Sequence, residues 1–269
     1  MTREKIILVK LNQVVGYLYL PSSWIRVAII HLAGGPALGD GGDSALWPVA
    51  KRFGCALFVP DYIGHCRSSG KFNFKTNIET ICESEDFLKG KIAGVDLETG
   101  LQIKLASKTI VLVGSSWGGS VVPFLEKYRK SSISYLGLFK PVLDWNMQKK
   151  SEDVIRTDTL IKKGWKYVYR GYDKSDWLDI SLGKKSEFNP IDNLDYLKGK
   201  TVYLCHGKND KLVSSLQSTS FCKKLKSKFP EVKVKLKLVN QGHTSRVNIS
   251  GLKFMLTDMF RKNLLGGVV

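Results

Sequence analysis

At 269 residues, with 43% apolar and 25% charged side chains, the chain holds enough apolar material for one α/β domain over 1–269, and a disordered chain is excluded. No apolar run approaches the ~20 residues of a membrane-spanning helix, and five scattered cysteines (Cys55, Cys66, Cys82, Cys205 and Cys222) without a CxxC pair argue against a disulfide framework or a zinc site. The formal charge of +18 favours non-specific contacts with anionic surfaces, but no nucleic-acid-binding motif accompanies it, so sequence-specific nucleic-acid reading is not expected.

Met1-Thr-Arg-Glu-Lys5 leads straight into an alternating strand, without the apolar core and cleavage site of a signal peptide. A soluble, cytoplasmic protein is the expectation. The first twenty residues predict a hairpin with arms at Ile6–Leu11 and Val14–Leu20, turning at Asn12-Gln13 and stopped by Pro21-Ser22-Ser23. Strands follow at Val27–Leu32, Ala56–Val59, Ile110–Val113, Tyr135–Phe139, Val202–Cys205 and Val232–Val239. The first four are continuous apolar runs, as strands buried on both faces of a parallel sheet require. Helices are predicted at Ser44–Phe53, Asn77–Lys89, Gly118–Lys130, Ser215–Lys228 and Ser245–Lys262, with Pro123 expected to kink the third. This order is that of a doubly wound, mostly parallel sheet with helices on both faces.

Between Phe139 and Thr201 no clear strand appears, and the interval 144–198 reads as an insertion. It holds Trp145, Trp165, Tyr167, Tyr169, Tyr172 and Trp177 among Asp153, Arg156, Asp158, Asp173 and Asp176. It is either a small lid shaping a substrate pocket or a helical subdomain with its own core. The lysines at 223, 224, 226, 228, 233, 235 and 237 read as a solvated helix followed by a charged outer strand.

The sharpest chemical signal is Gly114-Ser115-Ser116-Trp117-Gly118, placed after an apolar strand and before a helix-compatible run. A serine at a tight strand-to-helix turn is forced into a strained backbone conformation. Glycines two before and two after it give the turn room, and the helix N-terminus favours a developing anion. A serine hydroxyl needs a base, usually histidine. Of the four histidines, His31 and His65 precede Ser116, and His31 and His206 end strands. His243, in a loop between the last strand and the last helix, can reach the nucleophile. The acid that orients it should follow a strand between the two. Asp210, just past Tyr203–Gly207, is the candidate, with Asp144 after Pro141-Val-Leu as competitor or helix N-cap. Oxyanion donors are expected from the Trp117 N–H and from the loop Ala33-Gly34-Gly35-Pro36, where Gly35 is favoured over Gly34 without excluding it. Cys66 offers another nucleophile, but it lies outside any strand–helix elbow and reads as a small buried residue.

These residues together resemble the α/β-hydrolase superfamily over nearly the whole chain. Asp61-Tyr-Ile-Gly64-His65-Cys66-Arg67-Ser68-Ser69-Gly70 is similar to that family's Asp-x-Arg-Gly-x-Gly-x-Ser turn, and Leu32-Ala-Gly-Gly-Pro36 to its His-Gly-Gly-Pro oxyanion loop. Phe188-Asn-Pro190 and Pro141-Val-Leu-Asp144-Trp145 resemble segments of prolyl oligopeptidase and acyl-peptidase relatives, though the chain has no room for their propeller. Ala33, Ile63 and Cys66 depart from the pattern. The resemblance implies a Ser116–Asp210–His243 triad without a cofactor, acting on a small acyl ester, a thioester or amide, or a short peptide as a small serine peptidase would. A rival of another class is an inactive, basic binding protein on the same fold.

Overall fold

A computed structural model describes residues 3–35, 37–148, 167–172 and 174–261. Pro36, Asp153, Arg156, Asp158, Trp165, Asp173 and the side chain of Asp176 lie outside the described residues, as does the middle of the 144–198 interval. The expected hairpin forms from β1 (Lys5–Lys10) and β2 (Val15–Leu20), closed by Leu11 N–H donating to Val14 O at 2.7 Å. It joins β3 (Val27–Leu32), β4 (Ala56–Pro60), β5 (Gly94–Asp96), β6 (Gln102–Ile103), β7 (Thr109–Ser115), β8 (Tyr135–Phe139), β9 (Thr201–Gly207) and β10 (Lys233–Val239). These pair in the order β10-β9-β8-β7-β3-β4-β2-β1-β5-β6. From β10 to β4 the pairing is parallel, and beyond β4 it is antiparallel.

Strand alternation divides the apolar runs between two cores. Ala28, Ile30 and Leu32 of β3, Ile110 and Leu112 of β7, and Val202 and Leu204 of β9 face one side. Val27, Ile29, Val111, Val113, Tyr203 and Cys205 face the other. The first core is covered by α2 (Phe74–Leu88) and α7 (Ser215–Lys228), and the second by α1 (Trp47–Arg52) and α8 (Ser245–Arg261). Truncating a fully buried member such as Leu112 to alanine should cost about 2–5 kcal/mol.

Three helix expectations are corrected. α1 begins at Trp47 rather than Ser44, with Pro48 in its first turn. α2 begins at Phe74 because Asn73 and Thr76 form a reciprocal capping box, which leaves Asn77 buried inside the helix. The run after Ser116 is not one kinked helix. Pro123 divides it into α3 (Trp117–Val121), a 3-10 turn at Val122–Phe124 and α4 (Leu125–Tyr128).

Within the 144–198 interval, α5 (Trp145–Gln148) and α6 (Lys174–Ser181) are described, and Ile191, Leu194 and Leu197 are buried in the main core. This last part belongs to the domain's own packing. β10 sits at the sheet edge, where its lysines discourage pairing with another chain. Part of the basic run is neutralised locally: Lys224 pairs with Asp192, Lys228 with Asp195 and Lys235 with Asp258. Among the described residues no helix is long and apolar enough to cross a membrane.

Candidate active site

Parallel pairing puts the ends of β7, β8, β9 and β10 on one rim, with Ser115 opposite Phe139, Phe139 opposite Cys205, and Gly207 opposite Val239. Ser116 follows β7 at once and has φ 51° and ψ −113°, the strained turn its flanking glycines predict. A Cβ on Gly114 would stand 2.3 Å from Gly118 O, and one on Gly118 would stand 2.4 Å from Leu32 O. Neither position admits a side chain. The turn is pinned to β8 by Ser116 N–H donating to Phe139 O at 3.0 Å.

The loops after β9 and β10 are drawn together by their backbones. Lys208 N–H donates to Val239 O at 2.8 Å, and Asn209 N–H to Gln241 O at 3.0 Å. The crossing is possible only because residue 207 is glycine, since a Cβ there would meet Gln241 O at 2.3 Å. This places His243 between Ser116 and Asp210. His243 Nδ1 is 2.7 Å from Asp210 Oδ2, and Nε2 is 3.2 Å from Ser116 Oγ. A carboxylate only accepts, so Nδ1 carries the proton and Nε2 is free to accept from the serine hydroxyl.

Asp210 is anchored independently of His243. Its Oδ1 accepts from Leu212 N–H and Val213 N–H, each at 3.0 Å. Burial pushes its carboxyl up, but hydrogen bonds from His206, His243 and Val213 outweigh that and hold it well below the usual carboxylate range. The group is therefore ionised wherever the protein is folded near neutral pH.

The competing residues are engaged elsewhere. Asp144 Oδ1 accepts from Asn146 N–H at 2.9 Å at the start of α5, the capping role expected as the alternative. His31 Nε2 is 2.9 Å from Ser115 Oγ, and burial with the nearby charge of Lys140 lowers it to about 4. His65 Nε2 donates to Ala37 O at 2.9 Å. Cys66 is only partly buried, correcting the expectation, and its Sγ accepts from Gly39 N–H at 3.1 Å. Burial pushes that thiol up, which is the wrong direction for a nucleophile.

Among the described residues, the N–H groups of Gly34, Gly35 and Trp117 have no hydrogen-bond acceptor. Trp117 opens α3, so no preceding turn can supply one. Gly34 lies against the serine, where a Cβ would stand 3.0 Å from Ser116 Cβ, while one on Gly35 would make ordinary contact with Trp117 and Tyr169. Asp61 holds Arg67 through three bonds, from Nε at 2.7 Å, Nη2 at 3.0 Å and the backbone N–H at 3.2 Å, fixing the turn beneath this loop. Trp117 also lines a mostly apolar pocket of about 190 Å³ with Phe72, Phe74, Tyr172, Trp177 and Phe188, where Asn73 and Lys75 are the polar members. No group of three or more His, Cys, Asp or Glu side chains able to hold a metal occurs among the described residues.

Two contacts were not anticipated. Tyr169 Oη accepts from Ala37 N–H at 3.1 Å and is 3.0 Å from Ala37 O, tying the interval after α5 to the glycine loop. His206 approaches Asp210 Oδ2 at 3.3 Å. The spacing His206-x-x-x-Asp210 was the available signal for the second, and nothing in the sequence announced the first.

No protein-family model and no curated protein matches this sequence. Solved structures do match in fold. The esterase Pf2001 of Pyrococcus furiosus is 17% identical, covering 96% of this chain and 90% of its own, with TM-score 0.64. Est1E of Butyrivibrio proteoclasticus, with ferulic acid bound, is 15% identical over 96% of this chain and 99% of its own, with TM-score 0.63. The acylaminoacyl peptidase of Pyrococcus horikoshii is 14% identical over 97% of this chain but only 40% of its own, with TM-score 0.60. At such identities the likeness is one of fold.

Proposed function

Taking as premise that the chain has the α/β-hydrolase fold, we propose that it is a serine hydrolase acting on carboxylic esters through an acyl-enzyme on Ser116. The observation that supports this most is the unbroken path from Ser116 Oγ to His243 Nε2 and from Nδ1 to Asp210, with the serine in a strained turn. Ser116 Oγ attacks the substrate carbonyl while His243 Nε2 takes its proton. Asp210 holds the ring in the required tautomer and stabilises the imidazolium that forms. The negative oxygen of the tetrahedral species is received by the Trp117 N–H and by that of Gly35 or Gly34, which have no acceptor among the described residues. His243 then protonates the leaving group, and water repeats the cycle to free the acid.

The aromatic pocket beside Trp117 would suit an apolar portion of a small substrate. Thioesters and amides pass through the same intermediate. A small serine peptidase is the second reading, supported by the likeness to acylaminoacyl peptidase. A panel of p-nitrophenyl esters of graded acyl length, run beside aminoacyl-naphthylamides, tests the proposal. Turnover of esters, abolished by Ser116→Ala, is expected. Turnover of the amides alone would replace the ester reading with the peptidase one. Silence on both panels, together with salt-sensitive retention on heparin, would favour the inactive binding protein.

A further inference from the structure

His206 is the last histidine the proposed chemistry leaves unused, and it is completely buried at the end of β9. Its two ring nitrogens have different surroundings. Nε2 lies 2.9 Å from Val213 O and 3.3 Å from Asp210 Oδ2, while Nδ1 lies 2.7 Å from Ser218 Oγ of α7. Val213 O and the Asp210 carboxylate can only accept, so the proton must sit on Nε2, and the Ser218 hydroxyl then donates to Nδ1. Asp210 Oδ2 is thus shared. It accepts the N–H of His243 at 2.7 Å, and His206 Nε2, whose N–H is directed to Val213 O, stands 3.3 Å away. Val213 closes the arrangement, since its N–H donates to Asp210 Oδ1 at 3.0 Å while its carbonyl accepts from His206.

We infer that His206 is a positioning residue for the acid of the site: locked in one tautomer by Ser218 and Val213, it fixes the orientation of Asp210 and divides the carboxylate's charge between two histidines. This rests on the hydrolase reading above. The consequence is chemical as well as structural. The carboxylate's interaction with His206 competes with its interaction with the imidazolium that His243 becomes during turnover. The charged or titratable groups facing Asp210 are His206 from β9, His243 from the loop before α8 and, at longer range, Lys140 after β8. Ser218 of α7 faces Nδ1 on the other side of His206. If the His206 contact is removed, the undivided carboxylate should favour protonated His243, and the acid limb of kcat/KM should move to higher pH.

The test uses the full chain with His206→Leu, which removes both nitrogens, and His206→Gln, which keeps an N–H donor near the Nε2 position. Labelling of the wild type with a fluorophosphonate is read first: absence of an adduct there sinks the hydrolase reading and this inference with it, whereas a failure confined to the variants sinks the inference alone. His206→Leu should lose about tenfold in kcat with KM little changed, as expected for one hydrogen bond to a charged group. Its acid limb should rise by about half a pH unit. His206→Gln should recover most of both. If both variants lose activity equally while their acid limbs superimpose on the wild type, the residue is only structural and the inference fails. Should neither variant fold, side-chain ¹⁵N spectra of histidine-labelled wild type decide: a neutral His206 protonated on Nε2 supports the inference, and protonation on Nδ1 contradicts it.

Discussion

Along the antiparallel flank formed by β1, β2, β5 and β6, β1 is mostly exposed or half-buried outside the largely buried β2, and Val95, Leu97 and Leu101 stand exposed. What holds that flank is a pattern, which many residues could satisfy. At the rim where β7, β9 and β10 end, individual atoms decide. Ser116 sits at positive φ, Gly118 and Gly207 have backbone oxygens where a Cβ would be, and Asp210 is buried with every acceptor engaged. The same sheet therefore contains a tolerant end and an intolerant one. Strain and buried charge concentrate where the proposed chemistry lies, and the surrounding parallel core holds them in place.

Substitutions can break or sharpen this contrast. The largest effect should come from Ser116→Ala, which should lower kcat by about 10⁵–10⁶-fold with an unchanged thermal melt. Asp210→Asn should follow, with a loss of about 10³–10⁴-fold in kcat, because the His243 tautomer is no longer enforced. That variant also carries a pH signature. Asp210's carboxyl is depressed in the folded state, so its contribution to stability is present above the unfolded carboxyl range and fades as pH falls towards the folded value. Denaturant melts should therefore show the widest gap between wild type and Asp210→Asn near neutral pH, narrowing below about pH 4.

Gly207→Ala comes next. It should push the His243 loop off the β9 turn and cost on the order of 100-fold in kcat/KM, with a lower melting temperature, as misplacement of about 1 Å can do. Tyr169→Phe should cost only about three- to tenfold in kcat, since it loosens Ala37 without removing an oxyanion donor. At the tolerant end, Leu101→Lys should leave kcat unchanged and stability within about 0.5 kcal/mol. A large loss of activity there would dissolve the distinction between the two ends.

The contrast also explains what could be read from the sequence. The buried strands were legible because continuous apolar runs such as Val27–Leu32 have few other uses, and the turn at Ser116 because its glycines are imposed by close backbone contact. β5 and β6 were not legible, being too short for any period to register. The start of α2 was hidden because Thr76 takes the capping place where a Glu or Gln is the recognisable signal. The place of 190–197 in the core was not legible because two successive 3-10 turns carry no helical period. The contact of Tyr169 with Ala37 depends on how separate loops meet, and no local pattern encodes that meeting, whereas His206 and Asp210 are four residues apart and their spacing was legible.

The most direct test of the central claim is mass spectrometry of the intact chain after reaction with a fluorophosphonate, followed by peptide mapping. A single adduct on Ser116, slowed strongly by His243→Ala and absent in Ser116→Ala, is the predicted result. An adduct that persists in Ser116→Ala, or a folded wild type that takes none, would contradict it.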